Sequence, residues 1–214
     1  MKKSILTIAT LAVLNTGVNC NVYSCAELFT SNFITYSNVN YDSLNTLTDI
    51  YNQKKIESDR KKMVVFNAND ITELSNANYE QILEMLNGTN LVKVAGTFLE
   101  AEQEYGINAI ALMSIASLES SYGNSCRALE DNNLTGYAVY TDLSAGRNFS
   151  SWEKCIFETA KLISSDYINS KGKWHTGTGK NLYDINDNYS KNSRWASQIE
   201  QIGINYANKI NSKI

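Results

Sequence analysis

The sequence predicts an α+β domain that is mainly helical, with one small β-lobe in its middle. Apolar residues recur every three or four positions in several segments after Asn67, which is the period of one helix face. The stretch between Asn132 and Phe149 is rich in Tyr, Val, Thr and Gly and has no helical period, so a short hairpin fits it best. The chain of 214 residues is long enough for one domain with a real core plus an extension.

Two amphipathic helices are predicted first. Acidic and capping residues between Asp70 and Asn76 indicate a helix start, and Asn87-Gly88 indicates its end. Gly106 closes the second helix. The apolar faces consist of Tyr79, Ile82, Leu83 and Leu86 in the first helix, and of Leu91, Val94, Phe98, Ala101 and Tyr105 in the second.

A third helix, residues 109–118, is almost wholly apolar and is predicted to be buried on all sides. Asn108 is its expected cap, and Gly123 its expected end. Further along, Ser150 and Glu153 form a predicted capping box. It precedes two later helices whose apolar faces are Ile156, Ala160, Ile163 and Tyr167, and then Trp195, Ile199, Ile202 and Tyr206.

The N-terminus has the pattern of a secretory signal peptide. Lys2 and Lys3 precede a short apolar stretch that is too short to span a bilayer comfortably. Cleavage after Ala26 gives a signal peptide at 1–26, an arm or linker at 27–66 and a folded domain at 67–214. Cleavage near Cys20 and an uncleaved N-terminal anchor stay open as alternatives.

Composition excludes several function classes. A net charge of −3 gives no basic footprint for nucleic acid, and the cysteine and histidine spacing predicts no metal site or cofactor. His175 is the only histidine and lies in a polar, Gly-rich stretch. Catalysis by a Ser-His-Asp or Cys-His arrangement would therefore have to use this residue. Cys126 and Cys155 would remain after signal cleavage, either as a disulfide or as two independent buried thiols.

Glu119 follows the apolar third helix and has the clearest chemical implication. Burial disfavours an ionised carboxylate, and the negative end of the helix dipole acts in the same direction, so both effects raise its pKa. A carboxylic acid that stays protonated near neutral pH can donate a proton to a glycosidic oxygen. The spacing alone leaves open an exposed glutamate at the helix rim, paired with Arg127 or another cation.

Several motifs around Glu119 resemble those of the glucosaminidase family of bacterial autolysins, which includes flagellar-muramidase-like, staphylococcal and bacillar members. The motifs occur in the family's order at compatible spacing, from about Asn67 to Tyr206, so the set is more specific than any one of them. They are Tyr105-Gly-Ile-Asn108, Glu119-Ser-Ser-Tyr-Gly123, Asn132-Asn-Leu-Thr-Gly136, Tyr137-Ala-Val-Tyr-Thr-Asp142, Phe149-Ser-Ser-Trp152, and Tyr189 to Trp195 followed by Ile199.

The resemblance implies a lysozyme-like fold and endo-β-N-acetylglucosaminidase activity, which is hydrolysis of the bond after N-acetylglucosamine in peptidoglycan. It implies that Glu119 is the general acid and that Tyr189 lines the cleft. We therefore expect a secreted, extracellular and wall-associated monomer whose partner is the peptidoglycan glycan strand. No cofactor, no nucleic acid and no stable membrane insertion after signal cleavage are expected.

Three positions depart from the family pattern. Thr135 stands where the family usually has Phe, Asn192 stands where it has Asp, and Thr141 occupies the place of a second Asp. Asp142, one place further on, is our candidate for the catalytic base, although it would serve equally well as a turn residue. Assistance by the substrate's own acetamido group would need no second carboxylate.

Aromatic residues near the motifs are candidates for sugar binding, because the C–H faces of sugars pack on aromatic rings and a tyrosine hydroxyl can bond a sugar at the same time. The predicted substrate-binding residues are Tyr137, Tyr140, Tyr189 and Asn133. Asn132 and Asn133 are also predicted to organise the turn below the cleft through bonds to the backbone. Trp195 and Tyr122 are predicted to pack in the ordinary way.

Two other functions stay open. A lytic transglycosylase would share the fold and a lone glutamate, but such enzymes typically follow their Glu-Ser with a Gly-Leu-Met-Gln motif, where this chain has Asn-Asn-Leu-Thr-Gly. A non-catalytic glycan-binding or assembly module of the same fold is the other alternative, because Thr135 and Thr141 depart from the family pattern.

Overall fold

The computed structural model describes residues 49–56, 58, 63–138 and 146–214. The chain divides into two compact units, Met1–Ile56 and Glu57–Ile214. In the first unit, residues 49–56 are helical and exposed. The predicted signal peptide and most of the predicted arm at 27–66 lie outside the described residues.

The described part of the second unit is mainly helical, as predicted. Its helices are α1 (Tyr79–Leu86), α2 (Ala95–Tyr105), α3 (Ala109–Ser120), α4 (Cys126–Asp131), α5 (Trp152–Leu162), α6 (Leu182–Tyr189) and α7 (Trp195–Asn211). A 3₁₀ turn, Asn90–Val94, leads into α2, and a π-helical turn, Ile163–Ile168, extends α5. Where the chain is described around the expected hairpin, at 132–138 and 146–149, it contains no strand, and residues 139–145 lie outside the description. The β-lobe therefore stays a prediction.

The centre of the core is α3. Every residue from Ala109 to Ser117 is buried, as the apolar composition of this segment predicts. The helix packs against α7, α2 and α5. Three serines of the helix are buried, Ser114, Ser117 and Ser120, and each donates its hydroxyl to a backbone carbonyl one turn earlier, at 2.7, 2.7 and 2.5 Å, so these polar groups are satisfied inside the core.

The predicted helix start between Asp70 and Asn76 is wrong. Asp70 Oδ1 accepts a bond from the Thr72 amide at 3.0 Å and closes a local turn, which competes with helix formation. The first helix begins at Tyr79, where Asn78 and Gln81 form a capping box. The predicted capping box of Ser150 and Glu153 before α5 is wrong, because Ser151 caps that helix by accepting from the Lys154 amide.

The second unit includes residues upstream of the predicted boundary at Asn67. Val64 is 3% exposed, and its amide and carbonyl both pair with the side chain of Asn211 near the end of α7, each at 2.9 Å. Asn108 donates to the carbonyls of Val65 and Glu73 at 2.9 and 2.7 Å. One extended segment is thus bonded both to the C-terminal helix and to the start of α3.

The structure corrects the cysteine prediction, because Cys126 and Cys155 are both free. Cys126 is the first residue of α4 and is exposed. Cys155 is buried, and its sulfur accepts a bond from the Leu134 amide at 3.3 Å. The pair is neither a disulfide nor two buried thiols. Among the described residues, no helix is both long and apolar enough to cross a membrane.

Candidate active site

The candidate site begins at the C-terminal end of α3, where the chain carries Glu119. The start of this helix is capped twice: Asn108 Oδ1 accepts from the Ala111 amide at 3.1 Å, and Glu102 Oε1 accepts from the Ala109 amide at 2.9 Å. At the other end, Ser121 adopts the left-handed conformation with φ 50° and terminates the helix. Both ends of the helix that bears Glu119 are therefore defined by specific local structure.

Trp195, the first residue of α7, contacts the carboxyl group directly. Its indole Nε1–H donates to Glu119 Oε1 at 2.6 Å, across a sequence separation of 76 residues. The Trp195 side chain is 1% exposed. A buried donor aimed at one carboxylate oxygen fixes the orientation of the whole carboxyl group.

Gly136 approaches the other oxygen of the same carboxyl. Its φ is +64°, a conformation that side-chain-bearing residues rarely adopt, and a Cβ built there would lie 2.9 Å from Glu119 Oε2. Glycine is therefore required at position 136 by the positive φ and by the short distance to the Glu119 carboxyl. The carboxyl lies between the Trp195 indole and the Gly136 backbone, and it is not on an exposed helix rim.

This environment determines the charge state of the acid. Burial raises the pKa of Glu119, and the bond from Trp195 opposes part of that rise because it favours the ionised carboxylate. The position at a helix C-terminus also disfavours ionisation. The result is a carboxyl group that keeps its proton to a higher pH than an exposed glutamate does.

The loop that carries Gly136 is organised by two asparagines, as predicted. Asn133 is 2% exposed; its Nδ2 donates to the carbonyls of Tyr137 and Arg147 at 3.1 and 3.0 Å, and its Oδ1 accepts from the Tyr137 amide at 3.0 Å. Asn132 donates to the Phe149 carbonyl at 3.0 Å. The direct contact of Asn133 with substrate stays a prediction, since all of these bonds are made to the backbone.

Tyr189, at the end of α6, completes the described part of the site. Its ring stacks on Trp195 with the centroids 4.7 Å apart and the planes at 29°. Its hydroxyl donates to the Thr135 carbonyl at 2.9 Å. Burial and then the charge of Glu119 raise the pKa of Tyr189 well above its usual range, so the hydroxyl stays a donor at neutral pH. Tyr189 thus connects the Trp195 ring to the loop.

Residues 95–214 match the family described as glucosaminidase, mannosyl-glycoprotein endo-beta-N-acetylglucosaminidase, and this match covers more than half of the chain. The chain belongs to the glucosaminidase family.

Two proteins of Streptococcus pneumoniae, from strains TIGR4 and R6, share sequence with this chain and are provisionally described as endo-beta-N-acetylglucosaminidases. Each is 30% identical over 152 residues, which is 68% of this chain. The aligned region is 22% and 21% of the two relatives, so this chain spans about a fifth of their length.

Among solved structures, S. aureus autolysin E has a similar fold. A catalytic mutant with one Glu-to-Ala substitution, in complex with the disaccharide NAG-NAM, gives a TM-score of 0.55 and 22% identity over 69% of this chain and 75% of that one. The complex with the muropeptide NAM-L-Ala-D-iGlu gives a TM-score of 0.56 and 23% identity, over 69% of this chain and 74% of that one. At this identity the comparison establishes the fold, and it confirms the predicted autolysin glucosaminidase fold.

Two positions at which this chain departs from the family motifs have structural partners. Thr135, in the place of Phe, is 2% exposed, and its hydroxyl lies 2.7 Å from that of Thr159. Asn192, in the place of Asp, accepts from the Arg194 amide at 3.0 Å, and its carbonyl accepts from the Trp195 amide at 3.0 Å. Asn192 therefore still shapes the turn that leads into α7.

The remaining predicted residues are placed only in part. Tyr137 is half-buried and packs edge-on against Phe149 with the centroids 5.6 Å apart, while the Arg147 guanidinium lies 5.2 Å from the Tyr137 ring. Tyr140 and Asp142 lie outside the described residues. Tyr122 is 41% exposed. The described residues contain no cluster of three or more His, Cys, Asp or Glu that could hold a metal ion.

Two partners of the site do not follow from the sequence. Trp195 was expected only to pack, yet its indole nitrogen binds the acid. A buried tryptophan usually finds a partner for its N–H, so its position in the C-terminal motif could have suggested a polar contact. Thr159, which supports the loop from α5, gives no such signal in the sequence.

Proposed function

We propose that this glucosaminidase is a secreted endo-β-N-acetylglucosaminidase that cuts the glycan strand of bacterial peptidoglycan, with Glu119 as the general acid. The observation that carries the proposal is the shielded carboxyl of Glu119 between Trp195 and Gly136. The family match and the sugar ligands named for the autolysin E structures support the same substrate class.

The geometry also indicates which oxygen carries the proton. Oε1 accepts the indole N–H of Trp195, and the oxygen that accepts a strong bond is the carbonyl-like one in a neutral carboxyl group. The proton of the acid therefore belongs on Oε2, the oxygen that faces Gly136. We expect the glycosidic oxygen to approach Glu119 from the Oε2 side.

The reaction then follows from proton donation. Oε2–H gives its proton to the departing glycosidic oxygen, the bond from that oxygen to the anomeric carbon breaks, and positive charge develops on the sugar ring. Water finally adds to the anomeric carbon, which leaves N-acetylglucosamine as the new reducing end. Tyr189 and Tyr137 are proposed to contact the sugar rings on either side of the bond.

The second catalytic group has three candidate forms. Asp142, on the predicted β-lobe, would activate water if the carboxyls are about 6.5–9.5 Å apart, and would act as a nucleophile at about 5 Å. Alternatively, the acetamido group of the substrate attacks the anomeric carbon itself. A water-activating base inverts the anomeric configuration of the first product, whereas a nucleophilic carboxylate and the acetamido group both retain it. NMR of a fresh digest therefore separates the first form from the other two.

Secretion is the second part of the proposal. The basic residues and short apolar stretch at the start of the chain direct export, and cleavage after Ala26 releases a monomer that acts at the wall. N-terminal sequencing of the protein from culture medium tests the cleavage site. Full-length protein retained in the membrane would contradict this part.

The decisive experiment is a digest of purified peptidoglycan followed by mass spectrometry of the new ends. N-acetylglucosamine reducing ends are expected. Products with 1,6-anhydro ends would instead identify a lytic transglycosylase. Absence of any product from folded protein, together with retention on wall sugars, would identify a binding module.

The matched variants are Glu119→Gln and Glu80→Gln. Glu80 is an exposed glutamate on α1, so its substitution controls for a loss of charge elsewhere on the surface. Glu119→Gln should lower the rate about a thousandfold, and Glu80→Gln should leave it unchanged. Equal clearing of cell walls by Glu119→Gln would refute the assignment of the acid.

A further inference from the structure

A buried polar cluster lies beneath the loop that carries Gly136. The hydroxyls of Thr135 and Thr159 are 2.7 Å apart, and Cys155 Sγ lies 3.5 Å from the Thr135 hydroxyl and 3.3 Å from the Leu134 amide. Thr135 is 2% exposed, and Cys155 and Thr159 are 0% exposed. Cys155 and Thr159 are four residues apart on α5, so one helix face supports two consecutive loop residues.

The same loop makes both described contacts with the acid site. The Thr135 carbonyl accepts the hydroxyl of Tyr189, and the Gly136 backbone covers Oε2 of Glu119. The position of the loop therefore sets how closely the backbone covers the carboxyl group. It also sets how much water reaches that group.

We propose that Thr159 and Cys155 are positioning residues that hold loop residues 134–136 against Glu119 and Tyr189 and so keep water away from the acid. The inference rests on the proposed role of Glu119. A hydrogen bond to a buried hydroxyl is directional, and a buried partner left unpaired costs free energy, so the loop shifts towards water when one member is removed.

The ionisable groups around this assembly belong to three helices. Tyr189 on α6 faces Glu119, and the pKa of Tyr189 is raised further by Tyr167, from the extension of α5, and by Cys155 on α5 itself. Burial raises the pKa of the Cys155 thiol, so both tyrosine and cysteine stay neutral near neutral pH. A change in the pKa of Glu119 therefore reflects the access of water and the Trp195 bond, and not a change in the charge of Tyr189 or Cys155.

The test compares Thr159→Val, which removes the hydroxyl at nearly constant shape, with Thr159→Ser, which keeps it. Thr97→Val is the matched control, because Thr97 is a buried threonine on α2, which contributes no residue to the site. Carbon-13 NMR of protein labelled at the glutamate carboxyls gives the pKa of Glu119 without any substrate, and Glu119→Gln identifies the signal. The values of kcat and KM on soluble glycan strands are measured in parallel across pH.

In Thr159→Val the pKa of Glu119 should fall, because water relieves the burial that raises it, and the alkaline limb of the kcat profile should move to lower pH. We expect kcat to drop about 10- to 100-fold, with KM within about twofold. Thr159→Ser should restore the pKa, and Thr97→Val should not move it. Cys155→Ala, which removes the acceptor of the Leu134 amide, should change the pKa of Glu119 and kcat in the same direction. This variant replaces Thr159→Val in the test if Thr159→Val does not unfold cooperatively.

The outcomes separate the two proposals. An unchanged pKa of Glu119 in folded Thr159→Val and Cys155→Ala would overturn the positioning role even if the enzyme is active. A lowered pKa in a protein that cleaves no peptidoglycan would support the positioning role and refute the proposed function.

Discussion

The indole N–H of Trp195 lies 2.6 Å from Oε1 of Glu119 and is the described hydrogen-bond donor to this carboxyl. The bond orients the acid, and it also stabilises the ionised form. The same contact therefore affects both the rate and the pH dependence of the proposed reaction.

Replacement of Trp195 by Phe should raise the pKa of Glu119, because the bond that lowers it is lost while most of the burial stays. The alkaline limb of the kcat profile should shift to higher pH, and kcat should fall about 10- to 100-fold through loss of orientation. A pH–rate series on glycan strands measures both effects. A limb displaced to lower pH would contradict this account of the Glu119 environment.

Glu119→Gln should stabilise the fold at neutral pH. Because the folded protein holds the Glu119 proton more tightly than the unfolded chain, the free energy of unfolding falls as pH rises from the ordinary glutamate pKa, 4.5, to the raised pKa in the fold. Gln cannot ionise and avoids this loss. Thermal unfolding should show a higher Tm for Glu119→Gln at pH 7, by about 2–4 °C for each kcal/mol by which the substitution raises the free energy of unfolding. At about pH 4 the two proteins should have the same Tm. A lower Tm at pH 7 would show that the carboxylate is not destabilising.

Gly136→Ala should abolish activity, whereas Gly106→Ala should not. Both glycines have nearly the same backbone, φ +64° and +67°, but a Cβ at Gly136 meets Glu119 Oε2 at 2.9 Å and one at Gly106 meets nothing within 4 Å. Each substitution should cost about 1 kcal/mol of stability through backbone strain, and at Gly136 the contact with Glu119 adds to this cost. Urea unfolding of Gly106→Ala measures the strain alone, and comparison of kcat in the two folded variants shows the effect of the contact with the acid. Comparable activity in the two variants would argue against close coverage of the carboxyl by Gly136.

Asn211→Ala should destabilise the domain without changing kcat. The Asn211 side chain pairs with both the amide and the carbonyl of Val64, and its removal leaves both groups without these partners, at a cost of about 1–3 kcal/mol. Asn208→Ala, an exposed asparagine on the same helix, is the control and should change stability by less than about 0.5 kcal/mol. Equal stability of the two variants would mean that the segment at Val64 adds little to the fold.

The sequence predicts the central part of this fold well, because some residues leave few choices. A run from Ala109 to Ser117 with almost no polar side chain must be buried, and a glutamate that follows it must be near the edge of the core. The cap at Asn108 and the stop at Gly106 follow from local backbone chemistry, and both are confirmed. Local signals and gross hydrophobicity suffice for these features.

Other features depend on partners that no local pattern reveals. The helix Leu182–Tyr189 is short and polar, so its sequence contains too few apolar residues to show a helical repeat. The turn at Asp70 and the helix start at Asn78 use the same residue types, and only tertiary bonds such as that from Asn108 to the Glu73 carbonyl select between them. The contacts of Glu119 with Trp195, and of Thr135 with Thr159, join positions far apart in the chain.

The 76-residue separation between Glu119 and Trp195 has a consequence for the order in which the enzyme matures. A ribosome releases α3 long before it makes α7, and domains form only when their distant segments can meet. The glutamate is therefore ionised and hydrated while most of the domain is being made, and in that state it is a poor proton donor. Hydrolytic competence arises late, when the final helix docks, so unfinished or unfolded chains should leave sugar polymers intact.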